Sequence, residues 1–146
     1  MFHRWAALAL VLALWCLAPE SAAGQSVQPD QQPRGRKSGM LGQNYPNPFN
    51  PETNIPFSLA CDETGGGDYV VSLRIYNVLA QPVAVAVMQG GDDPLDNVRL
   101  PCGDYVAYWD GKVRGTGREA VAGIYIYELI VDGERSAKKM FISKLQ

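Results

Sequence analysis

Short runs that alternate apolar and polar residues fill the chain from Leu41 onward, and no run keeps a helical period. Glycine, proline, asparagine and aspartate separate the runs. Alternation with a period of two is typical of half-buried strands in antiparallel sheets. The predicted strands are residues 53–59, 69–77, 83–87, 104–109, 123–131 and 138–144. Five or six such strands with short connections predict an all-β fold, an immunoglobulin-like antiparallel β-sandwich over residues 41–146.

The same alternation predicts a single core between two sheets. The residues expected to face inward are Ile55, Phe57, Val71, Leu73, Ile75, Val85, Trp109, Tyr125, Tyr127, Leu129, Met140 and Ile142. Asp110-Gly111 and Asp132-Gly133 predict tight turns, because glycine accepts a positive φ. Pro56 lacks an N–H and predicts either an edge strand or a missing donor that faces outward. A long polar loop is expected to begin at Gly90.

The N-terminal residues have the pattern of an export signal. Arg4 precedes an apolar stretch at residues 5–17, and small residues follow at 21–24. This pattern predicts a signal peptide over residues 1–24, Sec-dependent export to the periplasm, and no transmembrane segment after cleavage. An uncleaved anchor is the alternative, although a span needs roughly 20 apolar residues. Residues 25–40 are rich in Gln, Pro, Ser, Gly and charge, which predicts a disordered linker.

Composition limits the kinds of active site and metal site that the exported chain is expected to form. The chain has one histidine, His3, which lies in the predicted leader. Without histidine, the mature chain cannot form a Ser-His or Cys-His nucleophilic site or a histidine-ligated metal site. We therefore expect no catalytic residues, no bound metal or other cofactor, and no enzymatic activity. The formal net charge of −2 argues against a nucleic-acid partner.

Two cysteines remain in the mature chain, Cys61 and Cys102. An even pair in an exported protein is interpreted first as a disulfide. The alternative, a redox-active or metal-binding pair, lacks the CxxC spacing and further soft ligands.

One family resemblance covers most of the chain. The block Gln43-Asn44-Tyr45-Pro46-Asn47-Pro48-Phe49-Asn50-Pro51 resembles the opening of the carboxy-terminal sorting domains of type IX secretion cargo. Similar blocks follow in the family's order at 71–81, 108–111, 122–129 and 138–140. The second and third of these also resemble the immunoglobulin-like domain of the flagellar hook-capping protein. Ala80 stands where the sorting domains usually have glycine, which leaves the type of that turn open.

The resemblance implies a signal that other proteins recognise. The implied partners are the outer-membrane secretion machinery and a sortase-like protease that attaches cargo to the cell surface. The implied location is therefore secreted or at the cell surface. The implied sorting motif consists of Asn44, Tyr45, Pro46, Asn47, Pro48, Phe49, Asn50 and Pro51. The implied recognition hairpin carries Lys138, Lys139 and Lys144, for which the alternative role is to keep an edge strand from aggregating.

The leading hypothesis is thus an exported β-sandwich that acts as a sorting or surface-attachment signal for type IX secretion. No obvious cargo domain lies between the predicted leader and the predicted module. The alternatives are a structural assembly domain like that of the hook cap and a small extracellular surface or adhesion protein.

Overall fold

The structure is a computed structural model that describes residues 38–144. The predicted signal peptide and most of the predicted linker lie outside this range. The strands are β1 (Gly39–Leu41), β2 (Thr53–Leu59), β3 (Asp68–Asn77), β4 (Pro82–Val85), β5 (Val87–Met88), β6 (Val98–Pro101), β7 (Gly103–Trp109), β8 (Gly123–Val131) and β9 (Glu134–Ile142). Residues 38–144 contain no helix, and so none that is long and apolar enough to span a membrane.

The strands form two sheets in which every strand pairing is antiparallel. The first sheet has the order β1-β2-β7-β5. The second has the order β4-β3-β8-β9, with β6 also paired to β3. β8 occupies one edge of β3, while β4 and β6 share the other edge at its two ends. The prediction of an all-β antiparallel sandwich is confirmed.

One hydrophobic core lies between the inner faces of the two sheets. Every residue expected to face inward is buried except Val85, which is half-buried. The strand bounds also agree closely: β2 and β8 match residues 53–59 and 123–131, whereas β9 begins four residues earlier than predicted. Strict alternation therefore located the long strands and their buried faces.

The single strand predicted over residues 83–87 is wrong, and so is the inward position of Val85. The chain passes from the second sheet to the first at Ala86, which separates β4 from β5 and is fully buried. The Ala86 N–H donates to Leu73 O at 3.0 Å, and Ala86 O accepts the Leu95 N–H at 2.8 Å. These bonds fill the gap that β4 and β6 leave along β3. Because the backbone changes direction there, the buried residues of this segment do not follow strict alternation. Leu95, within the predicted polar loop, is buried for the same reason.

Pro56 does not lie in an edge strand, because β2 pairs with both β1 and β7. Its backbone faces the residue that follows β1, since the Gly42 N–H donates to Pro56 O at 2.8 Å. Proline cannot return the second bond of this pair. β1 therefore ends at Leu41. The N–H that Pro56 lacks would have pointed towards Gly42, in the segment that follows β1.

The predicted turns are present and require unusual backbone angles. Asp132 and Gly133 have φ values of 48° and 88° between β8 and β9. Ala80 has a φ of 58°, so the turn after β3 keeps the left-handed conformation without glycine. This conformation costs an alanine roughly 1–2 kcal/mol.

Gly111 is expected to tolerate no side chain. Its φ is 74°, and a Cβ atom there would overlap Pro51 O. Replacing Gly111 with alanine should lower the free energy of unfolding by about 2–4 kcal/mol, from backbone strain and overlap together. Urea denaturation of the full chain measures this loss.

Gly115 is the matched control, because it has a φ of 75° with no atom within 4 Å of an added Cβ. Gly115→Ala should lower the free energy of unfolding by about 1–2 kcal/mol, which is the cost of the left-handed backbone conformation alone. Equal losses in the two variants would show that the contact with Pro51 is unimportant.

Candidate recognition surface

The segment between β1 and β2, residues 42–52, is called the strap here. It contains the predicted sorting motif and runs from the first sheet towards the free edge of β9. Its first part is held to β2, where Tyr45 and Asn54 exchange both backbone hydrogen bonds at 2.9 Å. Prolines that cannot continue a ladder follow at positions 46, 48 and 51, so the strap leaves the sheet.

Asn44 organises the beginning of the strap from inside the protein. Its side chain is 2% exposed. The Nδ2 group donates to Thr53 Oγ1 at 3.0 Å and to Pro46 O at 3.1 Å, while Oδ1 accepts the Gln43 Nε2 group at 2.7 Å. A buried amide with every group paired defines one backbone path more sharply than an apolar residue would.

The Tyr127 hydroxyl completes this network from the second sheet. It donates to Gly42 O at 2.9 Å and accepts the Asn44 N–H at 3.0 Å. Gly42 O is the acceptor that Pro56 leaves without a β-sheet partner. Tyr127 is fully buried, and burial raises the pKa of its hydroxyl above the usual value of 10.0. The hydroxyl thus replaces a missing backbone donor and joins the strap to β8.

Replacing Tyr127 with phenylalanine is expected to lower the free energy of unfolding by about 2–3 kcal/mol. The change keeps the ring but leaves two shielded backbone groups without partners. Tyr125→Phe is the matched control, because its hydroxyl makes one bond, to Val121 O, at a residue that is 69% exposed. Water can replace that bond, so the control should lose about 1 kcal/mol or less. Equal unfolding midpoints for the two variants would contradict the role assigned to Tyr127.

Phe49 anchors the middle of the strap in the core. Its side chain is 1% exposed, and its ring meets the Trp109 ring edge to face at 5.6 Å. Trp109 meets Tyr125 in the same way at 5.7 Å, and its Nε1 group donates to Lys112 O at 3.0 Å. Edge-to-face pairs add to the stabilisation from burial alone. This aromatic cluster fixes where the strap crosses the end of the sandwich.

Beyond the core, the strap lies against the last strand. The Phe49 N–H donates to Phe141 O at 2.9 Å, and Phe49 O accepts the Ser143 N–H at 3.0 Å. Asn47 Oδ1 accepts the Phe141 N–H at 3.0 Å, and Gln43 Nε2 donates to Lys139 O at 3.3 Å. The strap and the C-terminal part of β9 therefore form one continuous surface.

The predicted sorting motif divides into two groups of residues. Asn44 and Phe49 are buried and hold the strap in place. The exposed members of the motif are Tyr45, Pro46, Asn47, Pro48, Asn50 and Pro51. The motif thus has a structural part and a part that is accessible to a partner.

The predicted hairpin lysines are all exposed. Lys138 and Lys139 lie on β9 and Lys144 follows it. Within residues 38–144, none of the three forms an ion pair. Arg135, also on β9, makes a long contact of 3.5 Å with Glu128. The hairpin therefore carries three exposed lysines that have no ion-pair partner in the described part of the chain.

Sequence reasoning missed three residues that connect the strap to β9: Gln43, Phe141 and Ser143. The period of two in β9 already placed Phe141 on the outer face, opposite Met140 and Ile142. No sequence signal pairs Gln43 or Ser143 with a residue about a hundred positions away.

The disulfide prediction is confirmed. The Sγ atoms of Cys61 and Cys102 are 2.07 Å apart, and their Cα atoms are 5.0 Å apart. The bridge joins the end of β2 to the connection between β6 and β7.

Within residues 38–144, no group of three or more His, Cys, Asp or Glu side chains is placed to hold a metal ion. Asp96 instead pairs with Arg74 at 2.7 Å, and this hydrogen bond lowers the pKa of the Asp96 carboxyl below its usual value. The two side chains line a shallow cleft of about 480 Å³ that also contains Tyr76 and Arg114.

No protein-family model and no curated protein matches the chain. A solved structure that resembles it is Pseudomonas fluorescens alkylpurine DNA glycosylase AlkC bound to DNA containing an abasic site analog. The identity is 16% and the TM-score is 0.46. The match covers 73% of this chain and 31% of the glycosylase chain, so this chain spans less than a third of that protein.

The expectation that this protein has no enzymatic activity is contradicted by this comparison, because the structural neighbour is an enzyme. We correct the expectation accordingly. A missing histidine excludes only mechanisms that need an imidazole, whereas carboxylates, hydroxyls and lysines also serve in catalysis. A TM-score of 0.46 assigns neither a reaction nor a substrate to this chain.

Proposed function

We propose that this chain is an exported β-sandwich that acts as a sorting or surface-attachment signal for type IX secretion. One observation carries the proposal beyond the sequence resemblance. The strap and the last strand are about 90 residues apart in sequence, yet Phe49 and Asn47 bond directly to β9. The two segments that the resemblance singles out thus share one exposed surface.

This arrangement supports recognition of the folded module. Phe49 and Tyr127 hold the strap on the sandwich, and they thereby help to fix the exposed strap residues relative to the hairpin lysines. A partner that contacts both segments would therefore distinguish a folded cargo from an unfolded one. The proposed partner is the outer-membrane secretion machinery, and a sortase-like protease acts after it.

A display experiment tests the proposed function. A fluorescent reporter is inserted between Gln31 and Gln32, so that the whole chain is kept around it. This fusion protein is expressed in a host with type IX export and in the same host with that export disabled. We expect reporter at the cell surface or in the medium only in the competent host. Reporter retained in the periplasm of both hosts would reject the proposal.

A second measurement asks whether the predicted hairpin contributes. Replacing Lys138, Lys139 and Lys144 together with alanine removes exposed charges that form no ion pair within residues 38–144, so stability should change by less than about 0.5 kcal/mol. Reporter export should fall clearly. Lys112→Ala is the control, because Lys112 is an exposed lysine outside the β8–β9 hairpin that pairs with Asp110. Full export of the triple variant would assign these lysines to protection of the edge instead.

A further inference from the structure

β9 is an edge strand, and only part of its free edge is covered. Successive residues of an antiparallel strand direct their backbone N–H and C=O groups alternately to the two sides. Phe141 and Lys139 direct theirs away from β8, because these groups bond to the strap. By the period of two, Ala137 and Arg135 face the same way.

Some of the backbone N–H and C=O groups on this free edge are paired with the strap, and others are not. Phe141 has both groups paired, and Lys139 has its C=O paired with Gln43. Within residues 38–144, the Lys139 N–H and both backbone groups of Ala137 and Arg135 have no protein partner. Among residues 38–144, the strap therefore protects the C-terminal part of β9, Ser38 contacts only the Glu134 side chain at its other end, and residues 135–139 form an open edge. Such an edge is a template for one more strand.

The charged side chains on the two faces of β9 indicate which side chains an added strand would need. Lys139 pairs across the hairpin with Ile126, on the outer face of the second sheet, together with Arg135. Lys138 pairs with Tyr127 and has the opposite orientation. An added strand would meet a cation on each of its faces, and opposite charges in cross-strand positions are stabilising.

We propose that an acidic, extended segment of a partner protein binds this chain by adding a strand to β9 at residues 135–139. The proposal rests on the function proposed above, since it describes how the secretion machinery would recognise the hairpin. Backbone bonds supply the geometry, and Lys138 and Lys139 supply the preference for acidic side chains. The strap sets the register, because it blocks the edge beyond Lys139.

Amide hydrogen exchange in the full chain tests the edge without the unknown partner. The probe is a synthetic peptide that alternates valine and glutamate, and the control peptide has lysine in place of glutamate. The amides of Arg135, Ala137 and Lys139 should exchange quickly in the free chain. At saturation with the glutamate peptide they should exchange at least about tenfold more slowly, while the Phe141 amide changes little.

The outcomes of this experiment are distinct. No slowing at the three amides overturns strand addition. Equal slowing with the lysine peptide overturns the preference for acidic segments. Protection of the same amides in the peptide-free chain, together with a dimer in solution, would assign the edge to a second copy of this chain and overturn a partner protein as its occupant.

Ala137→Pro tests the same edge in the display experiment. Proline removes the outward N–H, and edge strands tolerate proline where that group faces solvent. Ala137→Val keeps the N–H and is the matched control. We expect export to fall at least about fivefold with proline and to remain with valine. If the proline variant does not fold, Lys138→Glu with Lys139→Glu replaces it, and export should then fall to a similar degree.

The two proposals fail in different ways. If a folded Ala137→Pro variant is exported normally, strand addition is overturned and the sorting function stays intact. The same holds for the Lys138→Glu with Lys139→Glu variant where that variant replaces it. If the unmodified chain is not exported but the glutamate peptide still protects the three amides, the sorting function fails and the edge remains a binding site for acidic strands.

Discussion

Replacing Phe49 with alanine is expected to lower the free energy of unfolding by about 3–5 kcal/mol, the usual cost of removing a large buried aromatic ring. Phe49 is 1% exposed and supports Trp109, which in turn supports Tyr125. Removing its ring leaves a cavity beneath the strap and loosens its two backbone bonds to β9. Urea denaturation of the full chain, followed by tryptophan fluorescence, measures the loss.

Tyr45→Ala is the control for this prediction. Tyr45 is an aromatic residue of the same strap, but it is 48% exposed, so its removal should cost less than about 1 kcal/mol. Equal losses in the two variants would contradict the assignment of Phe49 as the anchor. At temperatures where both variants stay folded, Phe49→Ala should also show faster amide exchange at Phe141 and Ser143, because their partners lie in the strap.

Removing the disulfide is expected to cost about 4 kcal/mol. The bridge closes a loop of 41 residues, and the chain-entropy model gives about this value for a loop of that size. The loop contains β3 to β6, which include the crossing at Ala86. Replacing both Cys61 and Cys102 with alanine should lower the urea midpoint strongly, and the variant should no longer respond to reductant.

The unmodified protein provides the reference for this second prediction. Alkylation without reductant, followed by mass spectrometry, should find no free thiol at positions 61 and 102 in the oxidised protein. Reduced protein should unfold at nearly the same urea concentration as the double variant. An unchanged midpoint after reduction would show that the bridge adds nothing to stability.

Periodicity predicted the long strands well because each buries one face against the same core. Alternation of this kind is imposed by the pleat itself, so residues such as Leu73 and Leu129 could be assigned without knowing their neighbours. Periodicity failed where a segment changes sheet. Ala86 and Leu95 are buried because their backbones complete β3, and this requirement comes from another strand and not from the pattern of their own segment.

The candidate site followed a similar division. Its strap could be recognised from local residues, since prolines and asparagines constrain their own backbone. The hydrogen bonds of Gly42 and Asn44 to the Tyr127 hydroxyl could not be predicted from local residues. A proline in β2 leaves Gly42 O without a backbone donor, and a tyrosine in β8 supplies one. Contacts of this kind depend on the register of three strands.

By itself, the sequence determined the all-β class, the long strands with their inward faces, the turns at Asp110-Gly111 and Asp132-Gly133, and the cysteine pair. All of these follow from rules that act within a few residues or from simple counting. Only the tertiary structure decided that the strap lies on β9 and that Pro56 needs Tyr127. It also decided that the strap covers one part of that edge and that residues 135–139 have no backbone partner there among residues 38–144. These features join residues about 70 to 100 positions apart, where the packing of both sheets, and no local preference, selects the partner.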